Sequence, residues 1–269
     1  MQLELKTKNI HNNNKSLIII DYDEARQNSP LLIIIHGFKG FKDWGFFPFI
    51  TKELNEQGIS TLKFNFSHNG VGTDLLNFNE LDKFKFNSFS QESFELESLF
   101  NFILEDPRFS NINKNKISFL GHSRGAYSTI VAGNKVNIHK AITLAGISSL
   151  PRVSTEQEKE WKKNGEHLVE NSRTKQMMPL GTFLLNDLLS KANFFEESIK
   201  NFNKPLLVIH GDKDPTVPMS SALKLKKEIK NSELEIIKDA DHVFNIKHPF
   251  NASSPELDQA IKRVISFLK

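Results

Sequence analysis

Short runs of β-branched and other apolar residues alternate along the chain with longer segments whose apolar residues recur at helical spacing. This alternation predicts an α/β fold, in which helices flank both faces of a mostly parallel sheet. The predicted strands are Leu3–Lys6 and Ser16–Tyr22, paired as an antiparallel hairpin, then Leu31–His36, Ser60–Phe66, Ile117–Leu120, Ala141–Ala145, Pro205–His210 and Leu234–Ile237. The predicted helices are Phe46–Gln57, Ser88–Leu104, Ala126–Ala132, Ser220–Ile229 and Pro255–Leu268.

The segment from Leu150 to Asn203 departs from this alternation. Its first half carries Glu and Lys in close succession, and its second half contains Met177-Met178-Pro179 and Phe183-Leu184-Leu185. We interpret the segment as a mainly helical insertion that lies over the end of the sheet as a lid. The prediction is therefore a single domain over residues 1–269 that includes the insertion at residues 150–203.

Length and composition narrow the class of protein. The chain has 269 residues and no Cys, so it can bury a core without disulfides, and a thiol nucleophile, an Fe–S cluster and a Cys-type zinc site are excluded. An acidic residue near the N-terminus stands where a signal peptide needs an apolar core, and no apolar run approaches the roughly 20 residues of a membrane helix. We expect a soluble, cytoplasmic protein without a membrane partner.

The charged residues do not indicate a nucleic-acid partner. The formal net charge is +3, and the Lys residues are spread along the whole chain. A nucleic-acid-binding protein typically carries a basic stripe with interleaved aromatic residues, or a recognisable motif. The sequence has neither, so nucleic acid is not expected as a ligand.

Residues 121–125 read Gly-His-Ser-Arg-Gly and fit the G-x-S-x-G pattern of a nucleophile elbow. A predicted strand precedes this motif and a predicted helix follows it, which is the context that the pattern requires. The flanking glycines let strand and helix approach closely, so that the serine hydroxyl projects above the sheet. Ser123 is the predicted nucleophile; the alternative is a turn that only requires glycines.

A serine hydroxyl is a weak nucleophile, so it needs an adjacent base and an acid that orients the base. In this type of site the order along the chain is serine, acid, histidine. His242 lies between the last predicted strand and the last predicted helix, and is the preferred base. The alternative, His248, precedes Pro249 and indicates a turn into the helix.

The acid is expected after the penultimate strand, where the chain reads His210-Gly211-Asp212-Lys213-Asp214-Pro215. Asp214 is preferred, because Asp212 is placed to cap the turn with its own side chain. His210, Asp212 and Asp214 are also conceivable metal ligands. No fourth ligand is apparent nearby, so a metal site is not expected.

Acyl transfer also needs backbone N–H donors that bind the oxyanion. One is the amide of Arg124, directly after the nucleophile. The second is expected where His36-Gly37-Phe38 turns the backbone after a strand, and the amide of Phe38 is the best placed. The alternative is that the His-Gly pair only ends the strand.

Together these motifs resemble the α/β-hydrolase superfamily and, within it, single-domain bacterial serine esterases related to dienelactone hydrolases, cinnamoyl esterases and prolyl oligopeptidase-type catalytic domains. The resemblance covers nearly the whole chain from Ser16 onward and implies the α/β-hydrolase fold. Many relatives have Arg-Gly-His-Gly after the fourth strand, where this chain has Ser67-His68-Asn69-Gly70. Dienelactone hydrolases proper use a Cys nucleophile, so that particular activity is not expected here.

The substrate pocket is less well defined by the sequence. The candidate residues are Phe41, Trp44, His122, Met177, Met178 and Phe183, and Leu180, Leu184, Trp161 and His167 of the insertion are further possibilities. The alternative is that the aromatic residues anchor the loop after Gly37, and that the insertion residues form its own core. Arg173 and Lys175 suggest either a contact with a substrate carboxylate or a solvated face of the insertion.

These residues predict a serine hydrolase that cleaves small or medium-sized carboxylic esters through an acyl-enzyme on Ser123. A peptidase or acyltransferase using the same site is the alternative, followed by a non-catalytic binding protein of the same fold. No cofactor is expected, because the nucleophile, base and oxyanion donors are all protein groups. The sequence leaves the natural ester and the oligomeric state open.

Overall fold

The computed structural model describes residues 1–72 and 74–269, and eight strands of this part of the chain form one sheet. The strands are β1 (Gln2–Lys8), β2 (Lys15–Asp23), β3 (Ser29–Ile35), β4 (Ser60–Asn65), β5 (Ile112–His122), β6 (Ala141–Leu144), β9 (Leu206–Gly211) and β10 (Ser232–Ile237). Two further strands, β7 (Glu166–Glu170) and β8 (Met177–Gly181), form a separate antiparallel pair.

The strand order across the large sheet is β1-β2-β4-β3-β5-β6-β9-β10. β1 and β2 pair antiparallel, with Leu3 opposite Ile20, which confirms the predicted hairpin. β2 also pairs antiparallel with β4, a neighbour that the sequence pattern did not identify. All other neighbours are parallel, so the predicted mostly parallel sheet is confirmed.

Helices cover both faces of the sheet. They are α1 (Phe47–Glu56), α2 (Leu81–Lys85), α3 (Phe89–Glu105), α4 (Gly125–Gly133), α5 (Thr155–Asn164), α6 (Thr182–Ser190), α7 (Ala192–Lys200), α8 (Met219–Glu228) and α9 (Pro255–Leu268). The five predicted helices correspond to α1, α3, α4, α8 and α9, and the short helix α2 was not predicted. Across residues 1–72 and 74–269, no helix has both the length and the apolarity needed to cross a membrane.

The central strands are apolar on both faces because helices pack on both sides of them. Along β3, Ile33 and Ile35 belong to one core, which the apolar side chains of α3 and α4 complete. Leu32 and Ile34 belong to the opposite core, beneath α1 and α9. This arrangement explains why residues 31–35 form an uninterrupted apolar run rather than the alternating pattern of a half-exposed strand.

The segment 150–203 contains the three helices α5, α6 and α7 and the hairpin of β7 and β8. The hairpin was not predicted, since its strands are only five residues long and carry mixed residue types. Helix α7 packs against α4 and α8, while β8 contacts α2. The segment is therefore attached to the rest of the chain through several elements.

β5 and α4 are joined by a turn in which the backbones nearly touch. A Cβ on Gly121 would lie 2.4 Å from the carbonyl oxygen of Gly125, and a Cβ on Gly125 would lie 2.6 Å from that of Ile35. Both neighbours are main-chain atoms of packed elements, so neither can move aside. These two positions therefore require glycine.

Gly125→Ala is expected to lower the free energy of unfolding by about 2–3 kcal/mol, because the added methyl group overlaps the backbone of β3. The control is Gly165→Ala, where a Cβ would meet no atom within 4 Å and the residue has φ +72°. That variant should lose only about 1 kcal/mol, from the left-handed conformation alone. Urea denaturation curves of both variants make the comparison, and equal losses would contradict the assigned close approach.

Two histidines are buried where strands of the sheet end. Burial, with a smaller effect from His242, lowers the pKa of His122 to about 3. Burial likewise lowers the pKa of His36 to about 4, with partial compensation by its hydrogen bond to the Gly37 carbonyl. Both rings are therefore neutral in the folded protein at moderately acidic pH.

The burial of His122 predicts that the folded protein loses stability in acid. The unfolded chain binds a proton at this histidine below a pKa of about 6.5, whereas the folded chain does not bind it until about pH 3. Stability should therefore decrease as the pH falls through this window. His122→Gln should reduce the slope of unfolding free energy against pH by about 1.4 kcal/mol per unit between pH 6 and 4. Urea denaturation at several pH values measures the slope, and an unchanged slope would contradict the prediction.

Candidate active site

Ser123 occupies the turn between β5 and α4 and has φ +55°, in the left-handed region. Its N–H donates to the carbonyl of Leu144 at 2.9 Å, and its own carbonyl accepts the amides of Ala126 and Ile147. These bonds connect the turn to β6 and to the start of α4. They hold the residue in a conformation that a residue with a side chain rarely adopts.

His242 lies in the loop between β10 and α9. The side chain of Asp241 shapes this loop, because its Oδ1 accepts the amides of Val243 at 2.9 Å and Asn245 at 2.7 Å. The Nε2 of His122 donates to the carbonyl of His242 at 3.0 Å. The loop is thus connected to the strand that ends at the serine turn.

Asp214 follows β9, and its side chain is fully buried. One carboxylate oxygen accepts the amides of Thr216 at 2.7 Å and Val217 at 2.9 Å. Burial by itself raises the pKa of Asp214, but the hydrogen bonds from His242 and from these amides outweigh it, so the pKa lies below its ordinary value. The group is therefore a carboxylate at neutral pH.

The three side chains form one hydrogen-bonded chain. Ser123 Oγ is 3.0 Å from His242 Nε2, and His242 Nδ1 is 2.8 Å from Asp214 Oδ2. Since a carboxylate only accepts, Nδ1 carries the proton that faces Asp214. Nε2 of the neutral ring is then free to accept the proton of the serine hydroxyl.

The alternative candidates for the acid and the base, Asp212 and His248, take no part in this chain of hydrogen bonds. The Asp212 side chain accepts the amide of Asp239 at 2.6 Å, so it joins the turns after β9 and β10. His248 Nδ1 accepts the amide of Gly45 at 3.0 Å, and its ring stacks on Trp44. Within the described residues, no cluster of His, Asp and Glu side chains has the arrangement of a metal site.

The loop after β3 passes directly over the serine. A Cβ on Gly37 would lie 2.9 Å from Ser123 Cβ and 3.5 Å from the amide nitrogen of Arg124. The amides of Phe38 and Arg124 have no hydrogen-bond acceptor within residues 1–72 and 74–269. Both N–H groups are therefore unoccupied; one belongs to the serine turn and the other to the loop that approaches it.

A cavity of about 460 Å³ extends from Ser123 beneath the segment 150–203. Phe38, Phe89 and Arg124 contribute to its wall from outside this segment. The segment 150–203 contributes Trp161, His167, Leu180 and Leu184, among others. Most of the lining is apolar, as is common in small-molecule sites.

The insertion residues predicted for the pocket require a correction, because Met177, Met178 and Phe183 do not line this cavity. Met178 is completely buried inside the segment, and Met177 is half-exposed on the opposite face of β8. Phe183 stacks on His11 at a centroid distance of 4.1 Å. Leu180, which lies on the same face of β8 as Met178 but two residues further along the strand, lines the wall instead, together with Leu184 of α6.

The other predicted pocket residues, Phe41, Trp44 and His122, also lie outside the cavity lining. Phe41 is fully buried and packs edge-on against Phe78 and His248. The ring of Trp44 also contacts His248, and His122 lies below His242. These residues anchor the loops around the site. An anchoring role for the aromatic residues was the alternative given in the sequence analysis.

Arg173 and Lys175, the candidates for a contact with a substrate carboxylate, also lie outside the cavity lining. The Arg173 guanidinium lies 5.9 Å from the ring of Phe41. Lys175 pairs with Glu170 at 3.0 Å on the surface of the hairpin. Neither side chain therefore has a place in the wall of the cavity.

Sequence reasoning missed a buried ion pair beside the serine. Arg124 Nε donates to Glu92 Oε2 at 3.1 Å, and Asn87 donates to the other oxygen of the same carboxylate at 2.9 Å. Burial raises the pKa of Glu92, partly offset by Arg124 and Asn87. The sequence does carry a sign of this buried charge, because Glu92 lies on the apolar face of α3 with Leu96 and Leu99.

Comparison with known proteins agrees with this architecture. The sequence profile of the alpha/beta hydrolase fold family matches residues 135–249. Est1E from Butyrivibrio proteoclasticus, solved with ferulic acid, superimposes with a TM-score of 0.73 at 20% identity over 94% of each chain. A protein described as a hydrolase from Agrobacterium vitis reaches a TM-score of 0.76 at 15% identity over 100% of each chain.

A curated relative from Synechocystis, named as a non-heme chloroperoxidase, is 44% identical over 55 residues. This alignment spans only a fifth of either protein. Structural likeness at such low identity establishes the fold, and the family profile agrees with it. The chain is an α/β-hydrolase-fold protein that resembles bacterial esterases.

Proposed function

We propose that this protein is a serine hydrolase that cleaves carboxylic esters of small or medium size through an acyl-enzyme on Ser123. The observation that carries the proposal is the chain of hydrogen bonds from Ser123 through His242 to Asp214. A base within 3.0 Å of a hydroxyl, itself oriented by a buried carboxylate, is the arrangement that activates a serine.

In the first half-reaction, Ser123 Oγ attacks the ester carbonyl carbon while its proton passes to His242 Nε2. The carbon–oxygen bond to the alcohol then breaks, and the leaving oxygen takes that proton from the imidazolium. Asp214 stabilises the imidazolium and keeps the ring in the correct orientation. The products of this step are the free alcohol and an ester between Ser123 and the acyl group.

The negative charge that forms on the carbonyl oxygen needs donors already in place. The amides of Phe38 and Arg124 are proposed as these donors, because Arg124 directly follows Ser123, Phe38 follows the Gly37 contact with the serine turn, and neither amide is occupied within the described residues. One such donor typically contributes about 3 kcal/mol to transition-state stabilisation. In this proposal the serine turn and the Gly37 loop keep the two amides in place before the substrate binds.

The second half-reaction uses water in place of the alcohol. His242 removes a proton from the water, whose oxygen attacks the acyl carbon. The bond between that carbon and Ser123 Oγ then breaks, the imidazolium returns its proton to Ser123 Oγ, and the carboxylic acid is released. All groups that move protons or stabilise charge in this scheme belong to the protein. The proposed reaction therefore requires no cofactor.

The segment 150–203 is proposed to act as a lid over the site within a single domain. It forms one wall of the 460 Å³ cavity, and the apolar lining suits the hydrocarbon part of a carboxylic ester. Est1E, which shares the fold, was solved with ferulic acid. This supports an acid of comparable size in the cavity of the present protein.

Labelling with a fluorophosphonate, followed by intact mass measurement, tests the nucleophile. The wild-type protein should gain one adduct, and Ser123→Ala should gain none. Ester hydrolysis by the variant should fall at least about 1,000-fold, because the covalent route is removed. Full activity of Ser123→Ala would exclude the proposed mechanism, and absence of labelling in both proteins would favour a binding protein.

A matched pair of variants tests the acid. Asp214→Asn should lower kcat about 1,000-fold or more, since the amide favours the wrong tautomer of His242. Asp212→Asn keeps the oxygen that accepts the Asp239 amide, and its kcat should stay within about threefold of wild type. Steady-state kinetics on one ester compares them, and the reverse ranking would assign the acid to Asp212.

A further inference from the structure

The oxyanion loop, residues 36–46 between β3 and α1, carries the Phe38 amide that is proposed as an oxyanion donor. It begins with a turn that is closed by a hydrogen bond of 3.1 Å from the Gly40 amide to the Gly37 carbonyl. Phe38 lies inside this turn, and Gly37 lies against Ser123. The position of the Phe38 amide therefore depends on how the turn is held against the sheet.

Directly after this turn, four charged side chains form a closed ring of ion pairs, the ion ring. Its members are Lys42 and Asp43 from the oxyanion loop, Asp21 from β2 and Lys63 from β4. Lys42 Nζ lies 2.5 Å from Asp21 Oδ2 and also contacts Asp43. Lys63 Nζ lies 2.6 Å from Asp21 Oδ2 and 2.5 Å from Asp43 Oδ1. Each lysine thus joins both aspartates, and the ring is electrically neutral.

The two lysines of the ion ring are almost completely buried, with 4% of Lys42 and 7% of Lys63 exposed. Burial by itself lowers the pKa of Lys63, but the bonds to Asp21 and Asp43 outweigh this effect and raise the pKa. Burial raises the pKa of Asp21, but the bonds from Lys42 and Lys63 outweigh it, so this pKa is lowered. Lys63 and Asp21 therefore keep their charges at neutral pH.

Hydrogen bonds of the backbone extend this attachment toward the turn. The amide of Lys42 donates to Asn65 Oδ1 at 2.7 Å, and Asn69 Nδ2 donates to the carbonyl of Gly40 at 3.5 Å. With the ion ring, these bonds fix residues 40–43 to the end of β4 and the segment that follows it. Because Gly40 also closes the turn around Phe38, the attachment reaches the proposed donor.

Stability alone is a weak explanation for a buried ion ring. Apolar side chains of similar volume often stabilise a buried site as well as an ion pair does, or better. Apolar contacts are non-directional, however, whereas charge-assisted hydrogen bonds are short and prefer one geometry. The ion ring therefore restricts the path of the oxyanion loop more narrowly than apolar packing would.

We infer that the ion ring positions the oxyanion loop, so that the Phe38 amide is directed at the forming oxyanion before the substrate binds. In the part of the chain that the structure describes, none of the four side chains lines the cavity, so they are positioning residues that act through the loop. The inference rests on the proposed function, because it concerns the oxyanion site of the same nucleophile.

The double variant Asp21→Val/Lys63→Met tests the inference, because it removes the two members of the ion ring that belong to the sheet. The sequence of the oxyanion loop, the net charge and the Lys42–Asp43 pair stay unchanged. The kcat for 4-nitrophenyl butanoate should fall about tenfold, since a small displacement of a preorganised donor weakens transition-state stabilisation. The KM should change by less than about twofold, because the altered side chains lie outside the cavity.

A trifluoromethyl ketone, 1,1,1-trifluoropentan-2-one, gives a second measurement. Its carbonyl carbon bonds to Ser123 Oγ, the hydroxyl proton passes to His242, and the carbonyl oxygen becomes an oxyanion that the proposed donors would bind. The inhibition constant should rise about tenfold in the double variant, in parallel with the loss of kcat. A purely structural role would lower the stability to urea and leave the inhibition constant and kcat unchanged.

The matched control is Glu97→Gln/Lys135→Met, which removes a surface ion pair of 2.7 Å between α3 and the segment after α4. Its kcat and inhibition constant should equal those of wild type. Asp21→Asn is a milder variant that keeps the shape of the ion ring, and it should change both constants about threefold in the same directions. It tests the inference even if the double variant does not fold.

A folded double variant whose kcat and inhibition constant stay within about twofold of wild type would overturn the inference and leave the proposed hydrolase intact. A loss of kcat without a matching rise of the inhibition constant would overturn the assignment to the oxyanion site. If wild type hydrolyses no ester and resists both the ketone and the fluorophosphonate, the proposed function fails and the inference fails with it.

Discussion

The site depends on the close approach of three backbone segments: the end of β5, the start of α4 and the end of β3. Side chains at positions 121 and 125 would overlap main-chain atoms at 2.4–2.6 Å, so the chain can turn there only with glycine. The tight turn leaves Ser123 in the left-handed region, a conformation that costs roughly 1–2 kcal/mol. Hydrogen bonds to β6 and α4 hold the residue in place against this cost.

The parallel sheet supplies the remaining geometry. In a parallel sheet the carboxyl ends of the strands meet along one edge, so the loops after β3, β5, β9 and β10 come together although they are far apart in sequence. Ser123, Asp214 and His242 lie at that edge and join by hydrogen bonds across 119 and 28 residues of sequence. The Gly37 loop reaches the same place from β3.

The electrostatics of the site depend on how well each buried charge is satisfied. Asp214 accepts hydrogen bonds from His242 and from two backbone amides, which is why its pKa lies below the ordinary value despite burial. Glu92 has fewer donors around it, and burial raises its pKa. A buried ion pair such as Glu92–Arg124 contributes little net stability. Its physical effect here is to restrict the guanidinium to one position in the cavity wall.

The sequence by itself determined the local elements and the identity of the candidate catalytic residues. Periodicity located all eight strands of the large sheet and five helices, since burial on one or two faces leaves a direct pattern in residue order. The Gly-His-Ser-Arg-Gly motif located the serine turn, because a backbone close approach admits one residue type. The order serine, acid, histidine pointed to the loops after the last two strands. Local turn signals there favoured Asp214 and His242, the two that lie in the hydrogen-bonded chain, over Asp212 and His248.

Only the tertiary structure decided which side chains face the cavity. Leu180 and Leu184 line it, whereas Met178 and Phe183, of similar character and nearly adjacent in sequence, do not. Which residues face the cavity depends on how the hairpin and α6 are rotated against α2 and α3, and that rotation is set by contacts between segments about 100 residues apart. The antiparallel pairing of β2 with β4 and the Glu92–Arg124 pair arise in the same way. Such contacts leave little local pattern, because their energy comes from the partner across the fold and not from neighbours along the chain.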